Sequence, residues 1–224
     1  MTADVTFRVL DVTPDRYALT PILAAELEIT AADDQPIQAI ALRCQVRIAP
    51  LRRTYTDEEA AGLLDLFGPR ERWSATQHGF VWLNAAAMVP GFIGTTRATL
   101  PLQCTYDVEV SATKYFHALD TGGIPLEFLF SGTIFDEGRQ TLQVRHVSWD
   151  CEDSYDMPVA VWRALVAQHY PATGWVRLSH DTIAALCAFR SAHGLLSVDE
   201  AVDTLLASAD QQTLCANGSP VEAP

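Results

Sequence analysis

The chain has 224 residues, 49% hydrophobic and 19% charged, enough for a substantial core in one large domain or in one domain with a smaller appendage. Its 28 acidic residues outnumber 15 basic ones, a formal net charge of −13, which opposes non-specific binding to nucleic acid and anionic lipid and makes a protein partner or small ligand the default. No apolar run approaches the roughly 18 residues of a membrane span, and "MTADVTFRVLDV" lacks the basic and apolar regions of a secretory leader, so a cytoplasmic protein is expected, with no membrane partner.

In chain order, "VTFRVL" reads as a strand, followed by "AAELEIT", where Ala25, Leu27 and Ile29 alternate with Glu26, Glu28 and Thr30. In "IALRCQVRI", Ile40, Leu42, Cys44, Val46 and Ile48 alternate with Ala41, Arg43, Gln45 and Arg47, the period-2 pattern of a half-buried strand with a basic, polar outer face. The turn residues of "AADDQP" between these two segments predict an antiparallel hairpin. "TDEEAAGLLDLFGP" carries the capping-box pattern Thr56-x-x-Glu59 and predicts a helix with Leu63, Leu64 and Phe67 on one side, ended by Gly68 and Pro69.

"GFVWLNAAAM", "TRATLPL", "CTYDVEV", "PLEFLFSGTIF" and "TLQVRHVSW" complete about eight strands. "SATKYFHALDTGG" spaces Ala112, Tyr115, Phe116 and Leu119 for a short crossover helix. "DCEDSYD" reads as a solvated acidic connection, without the glycine and terminal glutamate of a calcium loop. "MPVAVWRALVAQHYP" puts Val161, Trp162, Leu165 and Val166 on one helical stripe behind Pro158.

From Gly174 to Leu206 the order is that of a ribbon-helix-helix module: the strand "WVRLS", a helix bearing Ile183, Leu186 and Phe189, and a second opened by Ser197-x-x-Glu200. In DNA-reading ribbons the outward strand residues enter the major groove. Here those are Trp175, Arg177 and Ser179, and Arg177 and Arg190 face four acids in the segment, which removes the phosphate-neutralising term DNA affinity needs. A helical pair that packs on the strands or makes a homodimer contact fits better than a DNA-binding regulator.

No catalytic residue, metal ligand or cofactor is assigned. The six histidines show no H-E-x-x-H spacing and no cluster with cysteine. The five cysteines, Cys44, Cys104, Cys151, Cys187 and Cys215, are scattered and read as reduced and mostly buried; Cys151 lies in an acidic run that disfavours a thiolate. There is no G-x-S-x-G elbow, P-loop or dinucleotide fingerprint. An enzyme assembled from distant strands, with Asp107, Glu109 and His117 among its contributors, stays open as an alternative. The window from Arg43 to Arg72 holds six arginines, Arg43, Arg47, Arg52, Arg53, Arg70 and Arg72, against five acids. It predicts either local salt bridges or a docking surface for an acidic partner or small anion.

The blocks "ALRCQVRIAPLRRTYTDEE", "MVPGFIGTT", "LPLQCTYDVEVSATKYFHAL", "PLEFLFSGTIF" and "VAVWRALVAQHYPATGWVRL" together resemble an uncharacterised bacterial family classed only as a domain of unknown function, over roughly residues 5 to 206. Genes of that family often lie beside those of high-affinity, actinobacterial-type nickel-iron hydrogenases. The resemblance implies an accessory role, with a hydrogenase subunit or maturation factor as partner, and brings no catalytic residues with it.

The sequence thus predicts an α+β protein: an antiparallel β-sandwich of about eight strands with two inserted helices over 1–155, a helical C-terminal region resembling ribbon-helix-helix over 156–208, and a flexible tail over 209–224. Its expected role is non-enzymatic partner binding, through Arg43, Arg47, Arg52, Arg53, Trp175 and Arg177.

Overall fold

A computed structural model of the chain describes residues 5–32, 35–104, 110–137, 142–171 and 178–217. The fold is α+β, with two antiparallel sheets that do not close into a barrel. The three-stranded sheet has the order β1 (Val5–Pro14), β2 (Ile22–Ala31), β5 (Thr95–Gln103). The five-stranded sheet runs β4 (Phe80–Phe92), β3 (Ile37–Ile48), β6 (Gly123–Glu137), and the two halves of β6 then pair separately with β7 (Leu142–His146) and β8 (Glu152–Pro158).

Alternation decides which face each strand buries. Ile40, Leu42, Cys44, Val46 and Ile48 of β3 are buried, while Arg43, Gln45 and Arg47 point the other way. Leu23, Ala25, Leu27 and Ile29 do the same on β2. Each fully buried Leu or Ile contributes about 1.5–3 kcal/mol, and residues of both sheets belong to one hydrophobic cluster. Phe7 of β1 stacks on Phe130 of β6 with ring centroids 4.6 Å apart, joining the sheets directly. At the centre of β6 only glycine fits. A Cβ on Gly132, whose φ is +150°, would lie 2.3 Å from the Ala41 carbonyl oxygen of β3.

Helices cover one end of this core. Thr56 opens α1 (Asp57–Gly62) with a complete capping box: its hydroxyl accepts from the Glu59 N–H, and the Glu59 carboxylate accepts from the Thr56 N–H. The helix breaks at Leu63 (φ −103°, ψ 6°) before α2 (Leu64–Phe67). Two short turns, Arg70–Arg72 and α3 (Trp73–Thr76), follow. The crossover helix α4 (Val110–Ala118) connects β5 of one sheet to β6 of the other and, with the loop behind it, buries all four predicted residues, Ala112, Tyr115, Phe116 and Leu119. The helix α5 (Val159–His169) buries Trp162 and Leu165, with Val161 and Val166 packed against the core. Trp82 meets Phe116 edge-on at 4.9 Å, and Phe116 meets Trp162 at 4.7 Å, so β4, α4 and α5 share one aromatic contact.

Several expectations are corrected. β2 and β3 do not form a hairpin; each pairs within a different sheet. Both strands have one apolar face, and the hydrogen-bonding edges of each are satisfied as well by a strand distant in sequence as by the nearest one. "DCEDSYD" is not a free connection: Glu152 to Asp156 lie in β8, in register with β6. Its alternation turns Asp153 inward to accept a 2.6 Å hydrogen bond from the Val9 N–H, and Tyr155 donates to Asp11 at 3.0 Å. Leu64 is 57% exposed, because the break at Leu63 rotates α2 away from the stripe. The strand expected at "CTYDVEV" falls mostly on residues outside the described ones, and Val110 opens α4.

The chain divides into two compact units, residues 1–172 and 173–224. α5 belongs to the first. Among the described residues the second consists of α6 (His180–Ala192) and α7 (Val198–Asn217). Ser179 caps α6 by accepting from the Thr182 N–H at 3.2 Å. Ser197 accepts from the Glu200 N–H at 3.1 Å, but the Glu200 carboxylate reaches the Leu196 N–H rather than that of Ser197. α7 runs on to Asn217, into the stretch expected to be a flexible tail. No helix among the described residues is long and apolar enough to cross a membrane.

Candidate functional site

The arginine-rich window separates into two groups. Arg53 points into the fold: its side chain is 10% exposed, pairs with Glu59, and donates to the carbonyls of Gly123 at 2.8 Å and Thr121 at 2.7 Å. Arg70 pairs with Asp57 and donates to the Tyr55 carbonyl at 2.5 Å. Arg52 stands 4.0 Å from Asp156 across exposed surface, a separation of little energetic weight. Arg43, Arg47 and Arg72 make no ion pair among the described residues. Arg43 and Arg47 share the outer face of β3, four residues and about 13 Å apart. The Nε of Arg47 is buried without a hydrogen-bond partner.

The register across the five-stranded sheet shows what surrounds these side chains. Arg43 lies between Ala86 of β4 and Ser131 of β6; Gln45 lies between Asn84 and Leu129. One step the other way, Ala41 lies between Met88, which is 67% exposed, and Thr133. A groove of about 640 Å³ opens here, lined by Arg43, Gln45, Asn84, Ser131 and, from β5, Pro101 and Gln103. Alternation in the sequence identified the outward direction of Arg43, Gln45 and Arg47. It carried no sign of Asn84, Ser131 or Gln103, because neighbours across strands depend on register.

Two other concavities occur in the first unit. A cleft of about 500 Å³ is lined by Arg52, Arg53, Tyr55, Glu59, Gly122 and Asp156, among others. Its charges are already matched: Arg53 pairs with Glu59, and Arg52 faces Asp156. Beneath it the hydroxyl of Tyr55 donates to the Pro50 carbonyl at 2.7 Å and lies 2.7 Å from the Tyr115 hydroxyl. Burial pushes both phenols above the ordinary tyrosine range, Tyr115 furthest. A smaller groove of about 310 Å³ on the three-stranded sheet is lined by Asp11, Glu26 and Arg97, the last two paired at 3.0 Å.

The buried titratable groups are inert or neutralised. Burial pushes the thiols of Cys44 and Cys104 up to about 12. Cys151 is buried and donates to the Val5 carbonyl at 3.3 Å. Asp136 is held by the Arg145 guanidinium at 2.5 and 3.2 Å. Among the described residues no three His, Cys, Asp or Glu side chains converge as metal ligands. His117 is exposed on α4; Asp107 and Glu109 lie outside the described residues. So do Trp175, Val176 and Arg177, the first three residues of the strand "WVRLS".

The scaffold is thus α+β with two antiparallel sheets, and among the described residues Arg43 and Arg47 stand on the outer face of β3 without an ion pair. The chain belongs to a family of unknown function, DUF6084, whose model matches residues 2–214. No curated protein matches it. Among solved structures the chain is similar to a β-glucosidase from Kluyveromyces marxianus at 10% identity and a TM-score of 0.24, over 70% of this chain and 15% of that one. The same enzyme in complex with glucose matches at 11% identity and 0.23, with the same coverage.

Proposed function

We propose that this is a non-catalytic partner-binding protein, an accessory to nickel-iron hydrogenase assembly or maturation working in the cytoplasm. It docks its partner on the outer face of the five-stranded sheet. The two sheets are taken as the halves of a β-sandwich. The helical pair α6–α7 is taken as a ribbon-helix-helix-like appendage that makes packing or homodimer contacts and does not bind DNA.

The observation that carries this reading is the unpaired state of Arg43 and Arg47 on an open sheet face. Elsewhere in the first unit Arg53, Arg70, Arg97, Arg145 and Arg163 each meet a carboxylate, while Arg8, Arg16 and Arg72 make no ion pair among the described residues and line none of the three concavities. A guanidinium left without a counter-charge is available to a carboxylate of another molecule. The link to hydrogenases is supported by the resemblance of the quoted sequence blocks and the gene neighbourhood that it implies.

The test is affinity capture of the tagged full chain from its native host, with hydrogenase subunits and maturation proteins identified by mass spectrometry. Arg43→Glu with Arg47→Glu is expected to abolish their capture; reversal at exposed Arg43 should change stability by less than about 1 kcal/mol, and because Arg47 is half-buried the fold of the double variant is checked by its unfolding transition. Capture that survives the double reversal refutes the assignment of this face.

A further inference from the structure

We propose that the groove at Arg43 is a binding site for a single carboxylate flanked by hydrogen-bonding groups. This deepens the partner-binding reading and rests on it for the expectation that a docked protein supplies the carboxylate.

Among the described residues, three concavities of the first unit that contain arginine differ in one respect. Arg52 and Arg53 in the cleft of about 500 Å³ face Asp156 and Glu59, and Arg97 in the groove of about 310 Å³ is paired with Glu26. The groove of about 640 Å³ has Arg43 and no acidic residue in its lining. Arg43, Gln103 and Ser131 make no side-chain hydrogen bond among the described residues, and the contact from Gln45 Nε2 to Asn84 Oδ1 is long, at 3.5 Å. One guanidinium, three amides and a hydroxyl therefore face one space, and apart from the long Gln45–Asn84 contact their side chains make no hydrogen bond among the described residues.

The chemistry of this set selects its ligand. The planar guanidinium fork accommodates a carboxylate through two parallel hydrogen bonds. With a single cation and no lysine in the lining, a dianion such as phosphate would keep an uncompensated charge on a protein of net charge −13. The amides of Gln45, Asn84 and Gln103 offer both donors and acceptors, which suits a peptide group or hydroxyls next to the carboxylate. The volume lies within the range of about 300–1,000 Å³ found for small-ligand sites.

The site is tested on the isotope-labelled full chain by following the Nε–H resonance of Arg43, assigned from its loss in Arg43→Gln. Three probes are titrated: N-acetylglutamate α-amide, which carries one carboxylate, its neutral analogue N-acetylglutamine α-amide, and an acetylated, amidated alanine–glutamate–alanine tripeptide. Both carboxylates are expected to shift the Arg43 signal, the neutral analogue to leave it, and Arg43→Gln to weaken binding, read on backbone amides of β3 and β4, about tenfold or more. Tighter binding of the tripeptide marks a partner's side chain as the source; binding of N-acetylglutamate α-amide as tight or tighter marks a free small molecule. Either supports the site. No shift with either carboxylate, or equal binding by Arg43→Gln, overturns it. The two readings fail separately. Carboxylate binding with hydrogenase capture indifferent to the arginines would remove the partner reading and keep the site. Arginine-dependent capture without carboxylate binding would do the reverse.

Discussion

Removing the charge of Glu59 will destabilise the first unit more than any surface substitution. Its side chain is 3% exposed and is paired with Arg53, which is 10% exposed. The carboxylate also accepts the Asp120 N–H at 2.9 Å and the Thr56 N–H at 3.1 Å. It therefore holds the start of α1, the end of the α4 loop and the segment after β3 at one point. Glu59→Gln leaves the buried guanidinium without its counter-charge, and breaking such a pair costs about 3–5 kcal/mol. The lower end is expected, because the Arg53 bonds to Gly123 and Thr121 survive. For a unit of this size that is a fall of about 10 °C in Tm. Urea unfolding of Glu59→Gln, Arg53→Met and the double variant measures it. The double variant should cost at least about 1 kcal/mol less than the sum of the singles, because it strands no charge. A loss below about 1 kcal/mol for Glu59→Gln, or strict additivity, would refute a coupled buried pair.

Gly132→Ala should cost more than about 2 kcal/mol in the same assay, because its Cβ would meet the Ala41 carbonyl oxygen at 2.3 Å in a backbone region of positive φ; a neutral effect would mean that β6 does not approach β3 this closely. With burial holding Cys44 and Cys104 at about 12 and Cys151 buried as well, a thiol reagent at pH 8 should leave all three unmodified until the chain unfolds, whereas half-buried Cys187 of α6 reacts in the native state. Mass mapping of the labelled sites decides this. Tyr55 and Tyr115 are raised in the folded state, so their contribution is intact below the ordinary tyrosine value of about 10 and is lost as pH rises above it. Unfolding free energy should then fall above about pH 10, and less steeply in Tyr115→Phe; identical slopes would remove the buried dyad as the cause.

What could be read in the sequence was local and periodic. Period-2 alternation put Arg43 and Arg47 on one face of β3 and buried Ile40, Leu42 and Val46. Thr56 and Glu59 announced a capping box that forms in full, and the spacing of Ala112, Tyr115, Phe116 and Leu119 identified a buried helix. Each depends only on neighbours a few residues away, which chain geometry fixes.

Partnership across strands was not legible in this way. β2 and β3 looked like a hairpin, yet they lie in different sheets, because a strand's hydrogen-bonding edges are satisfied equally by a partner near in sequence or by one far away. The acidic run at Glu152 to Asp156 became β8 because half of the long strand β6 needed a hydrogen-bonding partner, a demand set far away in sequence. The same holds for the arginines. Composition placed six of them near five acids, but only tertiary structure decided that Arg53 would meet Glu59 and that Arg43 would stand beside Asn84, Gln103 and Ser131 without a counter-charge. The sequence by itself determined element type and facing, since these follow from backbone periodicity. Sheet order, register and charge pairing were decided by the tertiary structure, since they follow from which distant surfaces are buried together.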